Sequence, residues 1–218
     1  MFLQTYIDIH SHATIAEPQN NVLVLSNVYA DFQSVSPERQ YSFGIHPWYI
    51  CNFEEEFDLL IKGASSENVK AIGECGLDRI KGAPFDIQLK AFERQIQLAN
   101  ELNKPLIIHC VRAFPETISL LAKANVQVIF HGFNKKMAIA KELLELGYYL
   151  SFGEGLLKEQ SESFKVFADM PLNRIFLETD DGKMDIKDIY RAAAMIRKIN
   201  EDAIILQIQE NFKSVFNF

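Results

Sequence analysis

Five histidines, His10, His12, His46, His109 and His131, stand at or just past the C-terminal ends of short runs of β-branched and aromatic residues, and so do Glu74 and Asp180. Imidazole nitrogen and carboxylate oxygen are donors for a divalent cation. With no thiolate pair beside them they suit Mg²⁺, Mn²⁺ or Zn²⁺ and do not select among the three. A lone histidine at a strand end is more often a hydrogen-bonded partner than a ligand. His10 and His12 are a different matter, because residues two apart on a strand share a face and can meet one ion. That pair, combined with Glu74, His109, His131 and Asp180 at successive strand ends, reads as a metal centre.

Such a centre needs elements that bring distant residues together. Strand-like runs occur at Tyr6–His10, Val22–Val28, Tyr41–His46, Val69–Glu74, Leu106–His109, Val126–His131, Tyr148–Phe152 and Arg174–Asp180. Helical periodicity separates most of the later ones. In Asp86–Leu102 the residues Leu89, Phe92, Ile96, Ala99 and Leu102 form one stripe, with Asp86 as candidate N-cap and Pro105 beyond the end. In Lys135–Leu146 the stripe is Ile139, Leu143 and Leu146, with Gly147 placed to end the helix. Further helical segments lie near Glu54–Ala64, Pro115–Ala124, Ser163–Met170 and Asp185–Ile199. This alternation points to an α/β fold, a TIM (β/α)8 barrel, which gathers its strand ends and its active sites on one face. About ten residues separate the first two runs, too few for a full crossover helix. The helical ring is therefore expected to be abbreviated near the first two crossovers. A seven-stranded barrel or an open α/β sheet is the competing topology. Parity sets Asp8, His10 and His12 inward, with Ile107 and His109, Ile129 and His131, and Glu178 and Asp180 paired likewise, while Leu177 and Thr179 face the helices.

The chain has 218 residues, 48% hydrophobic and 23% charged, which suits one hydrolase domain over residues 1–218 with one buried core. No run approaches the ~18 apolar residues of a membrane span, and the first residues lack the basic and apolar regions of a secretory signal. Three cysteines without a CxxC pair, Cys51, Cys75 and Cys110, read as reduced thiols of a cytoplasmic protein, the latter two as packing residues. Net charge is −7. An acidic chain does not clamp long nucleic acid by a basic surface, but bound cations can supply local positive charge for a phosphate. The oligomeric state is not set by these features, and a monomer is compatible with them.

The sequence resembles the TatD family of metal-dependent deoxyribonucleases and related hydrolases. The matching segments are IDIHSH (Ile7–His12), GIHP (Gly44–Pro47), AIGECGLD (Ala71–Asp78), QLKAFERQIQLANELNKPLIIHC (Gln88–Cys110), VIFHGF (Val128–Phe133), LETD (Leu177–Asp180) and NFKSVF (Asn211–Phe216), in order along nearly the whole chain. The resemblance implies a hydrolase with two divalent metal ions. One ion would take His10, His12, Glu74 and Asp180; the other would share Glu74 and take His109 and His131. It further implies a nuclease acting on DNA or another phosphoester, with Asp180 and Glu74 in catalysis and His46 hydrogen-bonding near the scissile group.

This chain departs from the family pattern in loops that would meet substrate. Ala13 and Thr14 follow the HxH pair, Arg112 comes one position later than the family's arginine, and Asp181-Gly182 follows Asp180. Arg112, Lys135 and Lys136 are candidate substrate contacts for phosphate, with Arg79, Lys81, Lys158 and Lys183 as further rim cations. Lys135 and Lys136 open a predicted helix, where the macrodipole favours acids, so phosphate binding is one use for them and ordinary solvated charge the other. Trp48 is a candidate to stack on a base or to act as a packing residue. Glu178 is expected to hold a ligand imidazole and not the metal. Two other functions compete: hydrolysis of a non-nucleic-acid ester or amide, such as a small phosphoester or aminoacyl ester, and a non-catalytic metal-binding regulatory protein.

Overall fold

The chain runs from strand β1 (Tyr6–Ser11) to helix α7 (Glu201–Phe216) in a computed structural model that describes residues 5–12, 20–29 and 36–216. The remaining strands are β2 (Val22–Val28), β3 (Gln40–Phe43), β4 (Val69–Asp78), β5 (Leu106–Val111), β6 (Val128–Phe130), β7 (Tyr149–Phe152) and β8 (Ile175–Leu177). They form one eight-stranded sheet whose order follows the chain. Register is parallel where β1 meets β2, β3 meets β4, β4 meets β5 and β7 meets β8. A parallel bridge between Ser11 and Asp180 joins the end of β1 to the segment after β8. The fold is a (β/α)8 barrel.

The helices are α1 (Phe53–Ala64), α2 (Phe85–Leu102), α3 (Phe114–Leu121), α4 (Met137–Glu145), α5 (Glu162–Asp169), α6 (Ile186–Arg197) and α7. Among the described residues none lies between β1 and β2 or between β2 and β3, although most of both crossovers falls outside the described residues, as do Ala13 and Thr14. No helix of the described residues is long and apolar enough to cross a membrane.

The chain divides into two compact units, Met1–Ser26 with Phe130–Phe218, and Asn27–Ile129. In the second, α2 buries Ala91, Phe92, Gln95, Ile96 and Ala99 on one side. Phe92 and Ile96 are wholly buried, each contributing about 1.5–3 kcal/mol of transfer free energy. The helix ends on Asn103, which adopts the left-handed conformation (φ 50°) that asparagine tolerates. Its N-cap is Pro84, not Asp86, which lies inside the first turn. Proline cannot donate there and need not, because the first amides of a helix have no intrahelical acceptor.

In the first unit, α6 and α7 press Ile189, Tyr190, Ile204, Ile208 and Phe212 inward. The Tyr190 hydroxyl accepts from the Ile7 amide and donates to the Ile7 carbonyl, both at 3.0 Å. The helix α7 is not among the helical segments expected from the sequence, although its Ile204, Ile208, Phe212 and Val215 recur at helical spacing. Within it, the Asn211 amide donates to the carbonyls of Leu172 and Ile175, each at 2.8 Å. Asn211→Leu leaves two carbonyls without that donor in a buried position. The expected loss is about 1–3 kcal/mol, read from a denaturant melt; an unchanged midpoint would show that water replaces the amide.

Candidate metal centre

In the first unit the backbone builds the end of β1 into a ligand platform. Register slips between Asp8 and Ser11, so strict alternation stops before the histidines. Asp8 is buried, its carboxylate accepting from the Thr179 amide at 2.9 Å and from the Thr179 hydroxyl at 2.6 Å. The same hydroxyl lies 3.0 Å from Ser11 Oγ. Thr179 is thus engaged with β1 and does not follow the parity that sets it against the helices. Burial pushes the Asp8 carboxyl up to about 7, against the opposing effect of the Thr179 hydrogen bonds. Beyond this anchor the His12 amide donates to the Asp180 carbonyl and the Asp180 amide to the His10 carbonyl, both at 2.9 Å. Asp180 itself is left-handed, φ 54°.

These constraints aim three donors at one locus. His10 Nε2 and His12 Nε2 are 3.2 Å apart, and Asp180 Oδ1 lies 3.8 Å from the first and 3.5 Å from the second. A tetrahedral shell with bonds of about 2.1 Å spaces its donors about 3.4 Å apart, so the three fit a divalent ion. His131, just past β6, brings its ring to 4.4 Å from that of His10, and the ligand atoms of His10, His131 and Asp180 all fall within 4.8 Å of one another. Glu178 is buried, accepts from the Gly132 amide at 2.5 Å and lies 3.7 Å from His131 Nδ1. Burial opposes its charge, but His131, His10 and Ser151 together offset this, and the carboxyl stays below the ordinary glutamate range.

The second unit carries its own cluster. Glu74 is buried, with Oε1 2.8 Å from His109 Nδ1 and 3.1 Å from His46 Nε2. The Trp48 amide donates to His46 Nδ1 at 3.1 Å, which leaves Nε2 to carry the proton and donate to Glu74. Gln95, from α2, brackets Ile45 by accepting from its amide at 2.7 Å and donating to its carbonyl at 3.1 Å, and so fixes the chain just before His46. The Glu74 amide donates to Asn27 Oδ1 at 2.8 Å, and Ser42 Oγ donates to the same oxygen at 3.0 Å. On the far side of His109, Nε2 is 3.2 Å from Asp78 Oδ2. Asp78 also accepts from Trp48 Nε1 at 2.6 Å and from the amides of Ile80 and Lys81 at 2.7 and 3.0 Å. Burial pushes the Asp78 carboxyl up, but these bonds and the one from His109 outweigh it and hold it below the usual range. The ligand atoms of His46, Glu74 and His109 likewise lie within 4.8 Å of one another. Both clusters offer nitrogen and oxygen only, a donor set that accepts Mg²⁺, Mn²⁺ or Zn²⁺.

Of the expected substrate contacts, Trp48 borders the second cluster, bonded to His46 and Asp78, while Arg112, Lys135 and Lys136 are not among the residues of either cluster. Arg112 follows β5, exposed and left-handed (φ 53°). Lys136 is the N-cap of α4, with Lys135 before it, so the helix begins two residues later than the periodicity predicts. Trp48 is half-buried, its indole committed to Asp78 and its ring covered by Lys81 Nζ at 3.7 Å from the centroid. Arg79 pairs with Glu116 at 2.5 Å and lies 4.2 Å over the Phe85 ring. No disulfide links the cysteines, and burial pushes the Cys75 thiol far up, consistent with packing. Asn27 and Asp78 are the polar neighbours that sequence reasoning passes over. Asp78 sits inside the GECGLD motif, and nothing local marks Asn27.

Residues 26–217 match the family model described as TatD related DNase. A relative from Bacillus subtilis, the uncharacterized metal-dependent hydrolase YabD, is 35% identical over 80% of this chain and 76% of its own length. An uncharacterized metal-dependent hydrolase of Buchnera aphidicola is 29% identical over 81% of this chain and 73% of its own. The crystal structure of YJJV, a TatD homolog from Escherichia coli K12, superposes over 100% of both chains with a TM-score of 0.82 at 20% identity, a likeness of fold. On the extent of the family match and the identity to YabD, the chain belongs to the TatD related DNase family.

Proposed function

We propose that the chain is a divalent-metal-dependent phosphodiesterase that cuts DNA, acting as one hydrolase domain in the cytoplasm. The observation that carries the reading is the set of His10, His12 and Asp180 donors spaced as a metal shell requires. The relatives' description as metal-dependent hydrolases and the family's as DNases support it. As the family resemblance implies, His10, His12, Glu74 and Asp180 would hold one ion, and Glu74, His109 and His131 would hold a second. Bound ions supply Lewis acidity, which lowers the pKa of water and offsets charge on phosphate oxygens. Asp180 accepts the proton of the attacking water; its side chain is 36% exposed, within reach of solvent. His46 donates from Nε2 to Glu74 and holds that carboxylate in place. Arg112, Lys135 and Lys136 hold flanking phosphates, and Glu178 fixes the turn that carries His131.

Chelation tests the reading. Protein stripped with EDTA is expected to lose hydrolysis of bis(4-nitrophenyl) phosphate and of single-stranded DNA, and to regain both with Mg²⁺, Mn²⁺ or Zn²⁺. Lys135→Ala with Lys136→Ala should raise KM on DNA and flatten the log–log salt dependence, by about 0.7 per lost phosphate contact. Activity indifferent to chelation would overturn the metal assignment. Cleavage of the small ester but of no DNA, with each metal supplied, would remove the nuclease and leave a hydrolase of other esters.

A further inference from the structure

Aromatic rings normally bury their faces, because each carries a large apolar area. Tyr29 and Tyr49 do not. Tyr29 follows β2 and Tyr49 stands in the turn after His46, its amide donating to the His46 carbonyl at 3.1 Å. Their rings stack at 4.6 Å with planes 19° apart, yet the residues remain 40% and 45% exposed. The stack adjoins the Glu74 cluster: the Tyr49 ring is 5.3 Å from the His46 ring, and His46 Nε2 is 3.1 Å from Glu74. A cation lies close by, since Lys81 sits over Trp48, whose ring is 6.3 Å from that of Tyr49.

We infer that the Tyr29–Tyr49 stack is a subsite for an unpaired nucleobase, which adds its own ring to the exposed stack and so presents the adjoining phosphodiester to the Glu74 cluster. The inference rests on the phosphodiesterase reading and deepens it, since it names single-stranded nucleic acid, or a frayed end, as substrate. A paired base inside a duplex has both faces covered by its neighbours and cannot extend a protein stack; an unpaired one can, whatever its identity. Trp48 is the residue whose type first suggests stacking, but its indole N–H is committed to Asp78 and its face is covered by Lys81. Lys81 is exposed and held near the stack, where a phosphate beside the bound base would meet its charge. The exposed aromatic face thus belongs to the tyrosine pair.

Equilibrium binding tests this, read by anisotropy with Mg²⁺ supplied. The probe is a phosphorothioate oligodeoxythymidine of about six residues, within the ~4–16-nucleotide span of single-strand sites. The comparison strand has the same backbone with abasic sugars throughout. The wild type is expected to hold the base-bearing strand about tenfold more tightly than the abasic one, within the range of base–aromatic stacking. The Tyr29→Ala, Tyr49→Ala double variant should lose that difference, and the Tyr29→Phe, Tyr49→Phe double variant should keep it. A wild type that binds both strands alike, or does not bind the oligonucleotide, overturns the subsite, as does a double alanine variant that discriminates like the wild type. Hydrolysis of bis(4-nitrophenyl) phosphate by the wild type separates the two claims. Hydrolysis without base discrimination sinks the subsite alone, and base discrimination without metal-dependent hydrolysis sinks the phosphodiesterase and leaves the subsite.

Discussion

Asp180→Asn is expected to keep the fold and to lose about 10²–10⁴-fold in kcat, the usual range for removing a general base. The backbone tolerates the change. Asp180 is left-handed at φ 54°, a conformation that asparagine adopts as readily as aspartate. Its amide and carbonyl, which bond to His10 and His12, are main-chain groups and stay in place. What changes is the side chain that faces His10 Nε2 at 3.8 Å and His12 Nε2 at 3.5 Å. An amide oxygen can still approach a cation but does not take a proton from water. Metal content must be measured alongside rate, because a neutral ligand also binds the ion less tightly. A variant with full metal content and near-wild-type turnover would remove Asp180 from proton transfer.

The largest effect on the fold is expected at Gly76. It lies between Glu74 and Asp78 at φ 141°, and a Cβ there would sit 2.0 Å from the His109 carbonyl oxygen. That oxygen belongs to β5, whose His109 is the register partner of Gly76, so it cannot retreat without unpairing β4 from β5. Gly76→Ala therefore combines overpacking, about 1–3 kcal/mol, with backbone strain of about the same size. The sum lowers Tm by about 10 °C in a chain of this size. Metal binding should fall with it, since Glu74 and His109 flank the clash. Gly147→Ala is the control: φ is 83°, but nothing lies within 4 Å of the added Cβ, so only the left-handed strain remains. Equal melting temperatures for the two variants would show that β4 and β5 accommodate the methyl.

Strand-forming runs and the α2 stripe are legible because burial on one face imposes a period on the sequence. Gly147 is legible as a helix end because its left-handed turn is local. Strand limits are less so. The run Arg174–Asp180 reads as one strand, yet β8 ends at Leu177, because Asp8, 171 residues away, captures Thr179 and Asp180 turns left-handed. In the opposite sense, β4 runs on to Asp78, four residues past the predicted end, because Gly76 lets β5 approach closely.

The donor chemistry belongs to the sequence alone: five imidazoles, Glu74 and Asp180 at strand ends, with no thiolate pair, are donors suited to a hard or borderline divalent ion once the fold brings them together. Tertiary structure decided which atoms are aimed, and by what. Asn27 reaches across 47 residues to the Glu74 amide, Asp78 across 31 to His109, and Gln95 across 50 to the turn before His46. It also decided that Trp48 is engaged by Asp78 and Lys81 while Tyr29 and Tyr49 stay exposed. Residue type sets what a side chain can donate or accept. Its direction is set by buried hydrogen bonds to partners far along the chain, and a periodicity of two or 3.6 residues holds no record of those.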